Sequence, residues 1–158
     1  MKKSINMMIA MRLIYSIFKS FIFIFVNIYL WQAGKSIQAV AVFNIFNYLG
    51  ATISFYMANV IAVKNLKFNY IISSLSFLAT FGLTALLGDN IANYAILIGI
   101  LGGFGDGFFF FNLNSFQADV LDKDEMDKFM SIIGGLNKAS AIITPMISGV
   151  IIEKYGFI

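Results

Sequence analysis

Cysteine and histidine are both missing from the 158 residues, and proline occurs once. Without thiols there is no disulfide framework, thiolate nucleophile or zinc-thiolate site. Without imidazole, the usual neutral-pH base and metal ligand is missing too. Charge is also scarce, at 12% of residues, and the 11 Lys and Arg against 8 Asp and Glu are scattered between apolar runs. No basic patch forms, which excludes a nucleic-acid surface. What fills the chain is apolar: 59% hydrophobic residues, with 18 Phe in the chain and a mean hydropathy of +0.84. That composition places the chain in the membrane class.

Apolar windows of about 20 residues are long enough for membrane helices. They fall near 13–32, 38–62, 70–87, 93–115 and 129–152, separated by "QAGKSIQ", "VKNLKFN", "GDNIAN" and "FQADVLDKDEMDK". None of these breaks resembles a domain linker, so residues 1–158 read as one membrane domain. The expected fold is all-α, a polytopic transmembrane bundle of five spans. Lys2, Lys3, Arg12, Lys64, Lys67, Lys123 and Lys128 fall on one side and only Lys35 and Lys154 on the other. The positive-inside rule then makes the N-terminus cytoplasmic.

Helical spacing gathers Arg12, Ser16, Lys19, Ser20, Phe23 and Asn27 on one face, and Asn44, Asn47, Tyr48 and Ala51 on another. The third window has only hydroxyls, which bond back to their own helix, and reads as peripheral. In the fourth, "GGFGDGFFFFN" puts Gly99, Gly102, Gly103 and Asp106 on one face, where missing side chains admit another backbone. An acid in such a window needs a partner. Lys138 in the fifth lies at a matching depth of roughly 13 Å, on a face with Gly134, Ala141, Pro145 and Gly149. Two readings stand: an ion pair that fixes helix register, or, with Asn27, Asn44, Asn47 and Tyr48, a substrate or proton path. Burial that keeps Asp106 neutral is a third state of the same group. The acidic run Asp119, Asp122, Asp124, Glu125 and Asp127 reads as a solvated loop rather than a metal site.

The order of windows and two short motifs resemble the first five helices of a major facilitator superfamily transporter. "SIIGGLNKASAIITPMISGV" is similar to that family's antiporter motif, with Ser131, Ser140, Thr144, Ser148 and Gly149 at the small positions and Pro145 as the proline. Lys64 and Lys67 match the basic positions of its cytoplasmic gating motif. Asn59, Val63 and Leu66 replace the expected Gly, acid and Gly. The family's fourth-helix Arg is missing, so proton coupling through it does not carry over.

The resemblance implies alternating-access transport of a small solute by part of a secondary transporter in the cell membrane. Its partners would be the lipid bilayer, an unknown small-molecule substrate, and a C-terminal half or another copy. No cofactor, metal or nucleic acid is expected, nor an enzymatic activity. The alternatives are a small self-associating efflux protein and a non-transporting accessory membrane subunit.

Overall fold

The computed structural model describes residues 3–62 and 66–155. Its elements are α1 (Lys3–Gly34), α2 (Ile37–Ala62), α3 (Leu66–Leu87), a 3-10 segment (Gly88–Tyr94), α4 (Ala95–Val120) and α5 (Lys123–Tyr155). The sequence explains where they start and stop. The Ser36 hydroxyl accepts the Gln38 amide hydrogen at 3.1 Å, capping the first turn of α2. At α5, Glu125 reaches back to accept from the Asp122 amide at 3.4 Å. That is the reciprocal half of a capping box. Asp124 and Glu125 in the first turn of α5 and Lys154 in the last complement the helix dipole. Gly88 (φ 50°) follows the end of α3 in the left-handed region, where a missing Cβ removes the steric cost. Lys35 (φ 45°) takes the same conformation after α1 without that relief.

The chain divides into two compact units, one of residues 1–29 with 117–158 and the other of residues 30–116. In the first unit, Ile5, Met8, Leu121, Phe129 and Ile133 form a buried cluster, with Ile9, Val120 and Met126 packed on it. Gln117 is buried there and accepts a hydrogen bond from the Arg12 guanidinium at 3.0 Å. Partial burial desolvates that guanidinium and pushes its pKa below the ordinary value. The second unit contains α2, α3, the 3-10 segment and most of α4.

Several expectations are corrected. The first helix, Lys3–Gly34, extends beyond the apolar window near 13–32 and includes Arg12, which donates to Gln117. The acidic run is not one loop: Asp119 lies in the last turn of α4, Asp122 in the two-residue break, and Asp124, Glu125 and Asp127 in the start of α5. The five-span transmembrane array with a cytoplasmic N-terminus does not stand. In its place is an all-α arrangement with polar and charged side chains packed inside, among them Asn47, Ser54, Asn69, Ser73, Asp106, Asn112 and Gln117. Among the described residues, three stretches are long and apolar enough to cross a membrane by length and composition: Ile37–Ile61, Lys67–Val120 and Lys123–Ile151.

Candidate functional site

The most constrained place in the second unit is the contact of α4 with α2 and α3. Gly99, Gly103 and Gly107 recur every four residues, so they line one face of α4. A Cβ on Gly99 would lie 2.6 Å from the Phe43 carbonyl oxygen; one on Gly103 would meet the Asn47 carbonyl oxygen, and one on Gly107 the Ser54 hydroxyl. From the other side, a Cβ on Gly50 would sit 2.8 Å from the Ile100 carbonyl oxygen. The backbones of α2 and α4 are therefore in direct contact. A second edge of α4 faces α3, where a Cβ on Gly105 would strike the Phe77 ring at 2.8 Å.

Close approach exposes each helix's carbonyls to the other's short polar side chains. Asn47 donates to the Gly99 carbonyl at 3.4 Å and Ser54 to the Gly103 carbonyl at 3.2 Å. From α3, Ser73 donates to the Gly105 carbonyl at 2.8 Å. Asn69 bridges all three helices, donating to the Ala58 carbonyl at 3.0 Å and to Asn112 Oδ1 at 3.2 Å. Asn47, Ser54, Asn69, Ser73 and Asn112 are all buried, where a satisfied polar group fixes geometry and an unsatisfied one costs about 1–3 kcal/mol. The seam thus specifies one helix register.

Beside it, Tyr48, Ala51, Thr52, Phe55, Gly107, Phe110 and Asn114 line an open groove of about 450 Å³. One wall is braced by an edge-to-face pair of Phe55 and Phe111, with centroids 5.4 Å apart. Thr52 spends its hydroxyl hydrogen on the Tyr48 carbonyl at 2.9 Å. The groove carries no charged side chain. Among the described residues, no cluster of three or more His, Cys, Asp or Glu could hold a metal.

The residues singled out from sequence scatter across the two units. Asp106 is buried on α4 at 4% exposure, whereas Lys138 is exposed on α5 and belongs to the other unit. Asn27 and Asn44 are half-buried; the Asn44 amide donates to the Val40 carbonyl of its own helix at 2.7 Å. Asn47 enters the seam, and Tyr48 borders the groove with 66% exposure.

In the motif of α5, Ser140, Thr144 and Ser148 are buried, while Ser131, Pro145 and Gly149 are exposed. Ser131 donates to the Asp127 carbonyl at 2.9 Å, and Gly149 has open space where a side chain would be. Ser140, Thr144 and Ser148, four residues apart, thus form one buried face of α5, which Ser131, Pro145 and Gly149 do not share. Lys67 is exposed, and Lys2, Val63 and Lys64 lie outside the described residues.

Sequence reasoning missed Gly105, Gly107, Gly50, Ser54, Asn69, Ser73 and Asn112. The four-residue recurrence of glycine through Gly107 was the available signal. The reading of α3 as peripheral is also corrected. Thr80 and Thr84 do bond back to Ser76 and Thr80 carbonyls, but Ser73 and Asn69 bond outward to α4 and α2.

No family model matches the chain, and no solved structure matches it. It is similar to the uncharacterized protein YqgE of Bacillus subtilis (strain 168), 33% identical over 132 residues, covering 82% of this chain and 30% of the relative. It is also similar to a Geobacillus stearothermophilus protein named "Uncharacterized protein in sodM 3'region", 28% identical over 131 residues, covering 82% of this chain and 61% of that relative. The chain therefore spans less than two thirds of either relative.

The resemblance to the major facilitator superfamily is overturned, since no family model matches and neither relative's name assigns an activity. Solute transport by alternating access falls with it, as do the efflux and accessory-membrane-subunit alternatives. The partners expected were the lipid bilayer, an unknown small-molecule substrate, and a C-terminal half or another copy. They and the placement in the cell membrane rested on the same resemblance and on the five spans, and go as well.

Proposed function

We propose that the chain is a non-catalytic helix-packing module of a longer polypeptide. The observation that carries this reading is the seam itself: three glycines at four-residue spacing bring α4 onto α2, and buried Asn and Ser side chains lock the register. Its buried side-chain amides and hydroxyls donate across the seam, with Asn69 Oδ1 left as a buried acceptor without a partner, and this pattern favours one packing of the helices. Its outer surface is the opposite in character. Ile45, Leu49, Ile53 and Val60 on α2 are each at least half exposed, as are Ile142, Ile143, Met146 and Val150 on α5. Monomeric proteins seldom leave such apolar patches uncovered. Both relatives extend beyond the matched stretch, which covers 30% of one and 61% of the other.

The test is to produce the 158-residue chain alone and together with the part of the Bacillus subtilis relative outside the matched stretch. Expected is stoichiometric co-purification and a loss of apolar-dye binding relative to the chain alone. A chain that binds no dye by itself and fails to co-purify would refute the scaffold role. So would uptake of the chain into protein-free lipid vesicles in preference to the added polypeptide.

A further inference from the structure

We propose that Arg12 of α1 and Gln117 of α4 together hold a small oxyanion, a carboxylate or a phosphate, as a structural ligand where these two helices meet. Both residues belong to the first unit, apart from the seam, so the inference does not rest on the helix-packing reading.

The two side chains leave donors without an acceptor. A guanidinium has only donors, so it obliges Gln117 to turn its amide oxygen toward it, and Arg12 donates to that oxygen at 3.0 Å. The amide nitrogen is thereby directed elsewhere. Gln117 is buried at 3% exposure, and its Nε2 meets no hydrogen-bond partner. A buried donor in that condition calls for an acceptor from outside the fold.

Arg12 is short of an acceptor as well. It is half-buried, and its bond to Gln117 is to a neutral amide. Among the described residues no carboxylate pairs with it. Asp119 and Asp122 follow Gln117 closely in the chain, but both are exposed, where water and salt screen their charge. A partly desolvated cation and a buried amide donor, already in contact, make a donor set suited to an oxyanion. The surroundings strengthen it. Met8 stands one turn before Arg12 and Leu121 one turn after Gln117, and both belong to the buried apolar cluster. Beside such a cluster a charge-assisted hydrogen bond is stronger than in water.

Entry is by way of Arg12, the more exposed of the two. Gln117 presents Nε2 by rotation about its last torsion, which is broad in side-chain amides. One oxygen of the ion then accepts from the guanidinium and another from the amide. The ion completes the contact and is neither converted nor moved.

The test titrates the 158-residue chain with inorganic phosphate and with acetate, each against chloride at equal ionic strength. Expected is a saturable rise in Tm with at least one of them, and over the same concentrations a shift of the Gln117 side-chain amide signals in the NMR spectrum. Gln117→Glu offers Arg12 a carboxylate of its own and should weaken binding about tenfold or more, as should Arg12→Gln. Lys138→Gln, at an exposed position of α5, should bind as wild type does. A wild type with no response would overturn the inference, and so would a rise that never saturates, which is the general effect of excluded salts. Binding retained in Gln117→Glu, or lost equally in Lys138→Gln, would overturn it too. If Arg12→Gln does not fold, the wild-type NMR shift and Gln117→Glu still decide. None of these outcomes bears on co-purification, so the helix-packing reading stands or falls separately.

Discussion

Replacing Gly103 by alanine adds one methyl group where the Asn47 carbonyl oxygen and the Ala51 amide of α2 already lie against α4. Both obstacles are backbone, so no side-chain rotation relieves the overlap and the helices must separate. Overpacking of this kind costs about 1–3 kcal/mol. Separation also stretches the Ser54 bond to the Gly103 carbonyl and the Asn47 bond to the Gly99 carbonyl, each worth about 1 kcal/mol. The higher helix propensity of alanine returns about 1 kcal/mol. The expected loss is about 2–4 kcal/mol, or roughly 4–16 °C in Tm for a chain of this size.

Gly82 of α3 has nothing within 4 Å of the point where a Cβ would stand, so Gly82→Ala has only the propensity term and should stabilise by about 0.5–1 kcal/mol. Thermal and denaturant unfolding followed by far-UV circular dichroism, in one buffer for wild type and both variants, reads the difference. A Gly103→Ala variant as stable as wild type, or more so, would refute direct backbone contact and with it the seam as the source of rigidity.

Three other changes test the remaining structure. Gln117 Nε2 is buried without a partner while Oε1 holds Arg12. Gln117→Glu trades that unpaired donor for an equally buried carboxylate oxygen, so charge assistance of the Arg12 bond is largely offset by desolvation and the gain near neutral pH should stay below about 1 kcal/mol. The guanidinium would hold the new carboxyl's folded pKa below its unfolded value, so the gain is present above the unfolded pKa and disappears as pH falls through the folded one; a pH series of unfolding curves checks both. Pro145 lies inside α5 and is exposed, so Pro145→Ala should restore a helix hydrogen bond and raise stability by up to about 3 kcal/mol; unchanged stability would count against a continuous α5. Lys35→Gly relieves a left-handed residue and should add up to about 1 kcal/mol in the same unfolding assay.

How much of this was legible in the sequence differs from element to element. The apolar runs, broken by "QAGKSIQ", "VKNLKFN" and "GDNIAN", reveal where helices lie, because continuous apolar stretches without proline leave few other ways to satisfy the backbone. The glycine face of α4 was legible as a close-approach surface. Its partition between two neighbours was not, because Gly99, Gly103 and Gly107 turn to α2 while Gly105 turns to α3, and periodicity on one helix does not name the helix opposite. For the same reason nothing in the sequence singled out Asn69, the last residue of the second break, although it joins α2, α3 and α4.

The family resemblance failed differently. Small residues at helical spacing in α5 matched a motif, but Ser140, Thr144 and Ser148 are buried while Pro145 and Gly149 face outward. Many helical proteins place small residues at such spacing, so the match carried little identity.

By itself, the sequence determined the helical character of the chain, the breaks between helices, and the exclusion of thiol and imidazole chemistry, since these follow from local composition and the residue inventory. Only the tertiary structure decided which backbone each glycine admits, which carbonyl each buried amide and hydroxyl finds, and which apolar face is left uncovered. Those are relations between residues 11 to 56 positions apart in the chain, and they come into being only when the helices pack.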